Sequence, residues 1–202
     1  MIMKITKKML EDNYNDVVND DRYGYAMKRV CSVFKEYPLN TEDNIITIKI
    51  ALLDLTHSTN LSKNFSNIEL KDIVSKIKST EINFDKRVEN GDPSLVSELS
   101  KWSKEEKGVN LFSFFSKYCL YHNYGAYDND DYVIYDSVLK ENIRKYNSAT
   151  PYKINKLREN FDYEEYKKII NDIIEENKLE KVDKVRRKID LLIWYPNRKK
   201  SQ

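Results

Sequence analysis

Residues 111–139 read LFSFFSKYCLYHNYGAYDNDDYVIYDSVL, and this stretch decides the fold. Leu111, Phe114, Phe115, Tyr118 and His122 recur at helical spacing, which predicts an apolar stripe along one helix face. Turn formers then crowd His122 to Asp131, with Asn123, Gly125, Asp128, Asn129 and Asp130 among them, so the helix is expected to break there. Val133-Ile134 leads into Tyr135-Asp136-Ser137. That triplet resembles a helix start, with Asp136 capping it or lying in its first turn. Two polar side chains stand out in this aromatic setting. Lys117 falls on the edge of the stripe, flanked by Phe114 and Tyr121 at i−3 and i+4. Asp136 follows 19 residues later. Burying the stem of a lysine strips solvent from its ammonium, and an amine must shed a proton before it can act as a nucleophile. Lys117 is thus a candidate amine nucleophile with Asp136 as its carboxylate partner. The competing reading is a helix-edge lysine and a capping aspartate.

Helical periodicity extends outward in both directions. Helices are expected over residues 2–19, Arg22–Tyr37 (stopped by Pro38), Thr41–His57 and Asn67–Lys78. The third carries Ile45, Ile46, Ile48, Ile50, Leu52, Leu53 and Leu55, and so should be buried and central. Gly91-Asp92-Pro93 fits the end of one helix and the start of the next. Leu95, Leu99 and Trp102 mark the next apolar face. Further helices are expected to about Tyr146, over Asp162–Asn177 and over Val182–Tyr195. Four glycines and four prolines in 202 residues argue against a turn-rich β architecture. The expectation is one all-α domain over residues 1–202.

Hydrophobic residues make up 40% and charged residues 34%, an ordinary soluble balance. Cys31 and Cys119 are too few for a disulfide scaffold. Lys4, Lys7 and Lys8 interrupt the first apolar residues, so no signal peptide is expected, and no apolar run approaches a membrane span. A cytoplasmic monomer that needs no cofactor is the expectation. Net charge is +2, unevenly spread. Residues 178–202 hold nine Lys/Arg against three Asp/Glu, a net of +6, which leaves the other 177 residues at −4. Lys184, Arg187 and Lys188 are expected on an exposed face of the last helix, where a basic face suits a polyanion. A solvated charged helix explains the same run.

Other chemistries lack their signatures. There is no glycine-rich phosphate loop or nucleophile elbow. The two histidines and two cysteines do not have zinc spacing, so no metal site is expected. Asp128, Asp130 and Asp131 lack the spacing of a calcium loop and read as a solvated turn. His122 reads as a satisfied core histidine. His57 closes a helix, where it can contact DNA or serve structure.

The aromatic helix around Lys117, the Asn/Asp/Gly break and the Tyr135-Asp136-Ser137 helix start together resemble the helix-hairpin-helix DNA glycosylases. The likeness is to the compact bacterial proteins similar to 8-oxoguanine DNA glycosylase. It covers roughly residues 41–194 and is strongest over 111–139. It implies a compact bundle of orthogonally packed helices and excision of a modified base from double-stranded DNA. Lys117 would form a Schiff base with the sugar, Asp136 would assist, and strand nicking by β-elimination would follow. It also implies that a polar segment after the third helix enters the duplex where the target base has left, which nominates Asn60. One departure is plain: the family's glycine-rich hairpin before the lysine is here Asn110 to Ser116, and the preceding glycine, Gly108, lies nine positions before Lys117. A non-catalytic DNA-binding protein on the same scaffold and an α-helical protein-interaction module are the alternatives.

Overall fold

The computed structural model describes residues 2–57, 59, 61, 63, 67–148 and 151–198. Among them are eleven α-helices and no strand, so the protein is all-α. The helices are α1 (Lys7–Val18), α2 (Tyr23–Glu36), α3 (Asp43–His57), α4 (Leu70–Lys78), α5 (Phe84–Glu89) and α6 (Ser94–Lys107). They continue with α7 (Phe112–Tyr127), α8 (Ser137–Asn142), α9 (Pro151–Glu159), α10 (Tyr163–Glu176) and α11 (Val185–Trp194). Among the described residues no helix is long and apolar enough to cross a membrane.

The central helix is α7, not α3. Every residue of α7 from Phe114 to Asn123 is buried, as expected for a helix surrounded by others. It packs on α2, α3, α5 and α6. By contrast, α3 is one-sided: Ile46, Ile50 and Leu53 face inward, while Ile48 and Leu55 face solvent. Lys49 also faces inward and is fully buried.

The expected break at His122 does not occur there, because α7 runs on to Tyr127. Two of its turn formers do packing work instead. Asn123 donates to the Val88 carbonyl at 2.8 Å and accepts from the Asp131 amide at 3.0 Å. At Gly125 a Cβ would meet Phe34 Cβ at 2.7 Å, so only glycine lets α7 approach α2 this closely. The helix ends at Asp128, whose φ of 53° is left-handed.

Residues 128–136 then cross the core in a non-helical path. A buried segment outside regular structure must find partners for its backbone polar groups, and tyrosine hydroxyls supply them. Tyr163 accepts from the Val133 amide at 2.8 Å and donates to its carbonyl at 2.7 Å. Tyr166 donates to the Ile134 carbonyl at 2.6 Å. The Ser116 hydroxyl of α7 accepts from the Tyr135 amide at 3.0 Å. These bonds deliver Asp136 to the start of α8.

Candidate active site

Asp136 is the N-cap of α8, and its Oδ1 accepts from the Leu139 amide at 2.9 Å. Its other oxygen, Oδ2, lies 3.6 Å from Lys117 Nζ. Both side chains are largely buried, at 5% and 12% exposure. Lys117 Nζ also donates to the His57 carbonyl at the end of α3, at 3.0 Å. The two residues singled out by sequence thus meet on one wall of a cleft of about 850 Å³, to which His57 also contributes.

The charge of that cleft is lopsided. Among the described residues six cations line it: Arg22, Lys117, Lys140, Arg158, Arg187 and Arg198. Asp136 and Asp190 are the only carboxylates in its lining among those residues. Arg22, Lys140 and Arg158 form no ion pair among the described residues, and Arg22 and Arg158 are exposed. They come from the N-cap of α2, from α8 and from α9, so no local spacing in the sequence could have grouped them. The aromatic rings of Tyr23 and Trp194 form another part of the lining, 5.3 Å apart edge to face.

The last helix differs from its expected role. Arg187 and Lys188 are buried, at 3% and 7% exposure, and Lys184 is half-buried. Packing of α11 against α1 and α8 leaves little of it open. Its cations serve internal pairs: Lys184 with Asp128 at 2.9 Å, Lys188 with Glu11 at 2.9 Å, and Arg187 with Asp190 at 2.8 Å. Of the acidic run, Asp128 is exposed as a solvated turn residue would be, but Asp130 is not. Asp130 accepts from the amides of Arg186 and Arg187, 2.7 and 2.9 Å away, and so caps the N-terminus of α11. Burial holds its carboxyl above the usual range despite those two bonds. No group of His, Cys, Asp and Glu side chains among the described residues could hold a metal ion.

Asp190 is 2% exposed. Burial, with the charge of Asp136 acting the same way, pushes its carboxyl up to about 7, and Arg187 and the Ile134 amide oppose this. Oδ2 takes the Arg187 bond, while Oδ1 has no hydrogen-bond partner among the described residues. His57 does not project into solvent from the end of α3. Its imidazole bonds Tyr121 and Thr56. Asn60 lies outside the described residues. Tyr121 bonds His57 and Arg187, and neither it nor Arg187 stood out in the sequence as part of this site, although the i+4 spacing of Tyr121 placed it near Lys117.

The turn joining α6 to the lysine helix is a tight one, residues 108–111, with Gly108 at a φ of 71°. The amides of Gly108, Val109, Leu111 and Phe112 are engaged internally. Gly108 and Val109 donate to the carbonyls of Lys104 and Ser103, Leu111 to the Ser103 hydroxyl and Phe112 to the Asn110 side chain. Those amides do not form an open anion-binding nest.

The HI_0787_N family model, described as an N-terminal domain, matches residues 4–131. That span includes Lys117, Tyr121 and His57, and stops before Asp136. An uncharacterised protein of Haemophilus influenzae is 29% identical over 110 residues, which is 54% of this chain. The chain spans about half of that relative's length, 48%. No solved structure matches. The extent of the family match, well over half of the chain, places it: this protein belongs to the HI_0787_N N-terminal domain family.

Proposed function

We propose that this protein is a DNA glycosylase with lyase activity that removes a modified, 8-oxoguanine-like base through a lysine Schiff base. The observation that carries the reading is the meeting of Lys117 and Asp136, 19 residues apart in sequence, on the wall of a cation-lined cleft. A base inside a duplex is out of reach of any side chain, so the target nucleotide must leave the stack first. The excess of cations over carboxylates in the cleft favours a backbone of phosphates.

In this account the Lys117 amine, having given up a proton, bonds to the sugar C1′. The C1′–N bond to the base breaks, and its electron pair leaves with the base, which takes up a proton. Asp136 Oδ2 stabilises the positive charge that develops on the sugar. Opening of the sugar ring gives the imine, and loss of the C2′ proton expels the 3′ phosphate.

Phosphate contacts belong to Arg22, Lys140 and Arg158 in this reading, not to α11 and not to the backbone of the 108–111 turn. The engaged amides of that turn favour one second reading, a DNA-binding protein without chemistry. Incubation with a duplex holding 8-oxoguanine, followed by borohydride, separates the two. A covalent protein–DNA adduct at Lys117 supports the enzyme, and binding without adduct or base release supports the second reading.

A further inference from the structure

The polar side chains beneath Lys117 form one directional hydrogen-bonded chain. The Thr56 hydroxyl donates to the Leu52 carbonyl at 2.6 Å. With its only proton committed, Thr56 Oγ1 must accept from His57 Nδ1, 2.6 Å away. The imidazole proton is thus on Nδ1, and Nε2 is an acceptor. The Tyr121 hydroxyl, 2.5 Å from Nε2, therefore donates to it. The Tyr121 oxygen in turn accepts from Arg187 Nη2 at 2.9 Å, and Asp190 anchors Arg187 at 2.8 Å. Each donor along the line has its acceptor. A single ring proton also agrees with the setting of His57, where burial, and then the charges of Lys117 and Arg187, hold the imidazole neutral.

This chain ends on the residue whose carbonyl grips the amine. His57 O accepts from Lys117 Nζ at 3.0 Å, and His57 is the last residue of α3, where the end carbonyls of a helix are free to take other donors.

We propose that Tyr121 and Arg187 are positioning residues: with Thr56 they lock His57 as the neutral Nδ1–H tautomer and, through its carbonyl, hold the Lys117 amine in place beside Asp136. The catalytic consequence rests on the reading of Lys117 as the nucleophile, whereas the lock itself does not. Misplacing a reacting group by about 1 Å can cost on the order of a hundredfold in rate, so even a partial release should be measurable.

Tyr121→Phe removes the hydroxyl and keeps the ring, including its edge contact with His57 at 4.7 Å between centroids. Thr56→Val removes the acceptor at the other ring nitrogen, and serves if the first variant fails to fold. Nitrogen-15 NMR of the His57 ring reads the tautomer, and single-turnover borohydride trapping on an abasic-site duplex reads the amine. The wild type is expected to show only Nδ1–H at neutral pH. Tyr121→Phe should admit the Nε2–H form and slow trapping by about tenfold or more, while DNA affinity changes by less than about twofold. Methylation of Lys117 by formaldehyde and cyanoborohydride, read by peptide mass spectrometry, gives a DNA-free measure, and it should speed up in both variants. Failure of the wild type to trap any duplex would sink the enzyme reading and leave the lock to be judged by tautomer and methylation. An Nε2–H or protonated His57 in the wild type overturns the proposal. So does a Tyr121→Phe protein that trades tautomers yet traps and methylates like the wild type.

Discussion

The two oxygens of Asp136 do different things: Oδ1 caps α8 through the Leu139 amide at 2.9 Å, and Oδ2 faces Lys117 Nζ at 3.6 Å. One side chain therefore sets both a helix start and the electrostatics of the amine. The two roles can be separated by substitution.

Asp136→Asn keeps an oxygen for the cap and removes the charge. It should fold and bind DNA like the wild type and lose turnover by on the order of a hundredfold or more. Asp136→Ala should lose the cap as well, lowering stability by about 1 kcal/mol. Urea melts paired with single-turnover nicking check both. Equal turnover in Asp136→Asn and wild type would reduce the residue to a capping role.

Among the described residues Arg22, Lys140 and Arg158 line the cleft without ion pairs, whereas Arg187 is buried against Asp190. The triple alanine variant at the first three positions should flatten the salt dependence of DNA binding by roughly one unit per lost phosphate contact. Arg187→Ala should act on stability instead, because it strands a buried carboxyl. Affinity measured across a salt series, with a melt of each variant, distinguishes them. An unchanged slope in the triple variant would move the DNA interface elsewhere.

Away from the cleft, Lys49 is fully buried and donates to Asn40 Oδ1 at 3.0 Å. Burial lowers its pKa to about 8, with the Asp85 charge opposing. Asp85 itself, which burial alone would push up, is held below the usual carboxylate range by hydrogen bonds from His122 and Asn40. His122 is held neutral mainly by burial. The folded protein thus releases the Lys49 proton at lower pH than the unfolded chain does. Between about pH 8 and the unfolded value of about 10.4 the unfolded state binds more protons, so this group favours folding increasingly as pH rises. Stability of the wild type relative to Lys49→Met should therefore climb across that window. A flat or falling difference would show that Lys49 is not held in a desolvated site.

Much of this architecture could be read from sequence where a residue's role is local. The helix around Lys117, the Asp136 cap and the helix start at Ser137 follow from spacing within a turn or two, although α7 is buried all round and not along one stripe. The all-α fold follows from periodicity repeated along the chain. What was misread depends on distant partners. Asn123 and Gly125 look like a turn, but Val88, Asp131 and Phe34 hold them inside α7. Arg187 and Lys188 look solvent-facing until Asp190 and Glu11 are placed beside them. The density of aliphatic residues made α3 look central, yet Leu55 is 82% exposed, because α3 packs on one side only. The rim cations come from separate helices, so only the fold assembles them.

The most direct test is trapping on a duplex that already holds an abasic site, since it does not depend on which base is excised. With borohydride, the wild type should form a covalent DNA adduct at Lys117 and nick the strand. Lys117→Ala should do neither while still binding the duplex, as most affinity comes from phosphate contacts elsewhere. Lys117→Arg should also fail, because a guanidinium stays protonated. An adduct that persists at wild-type yield in Lys117→Ala, or no adduct in the wild type, would contradict the assignment of Lys117 as the nucleophile.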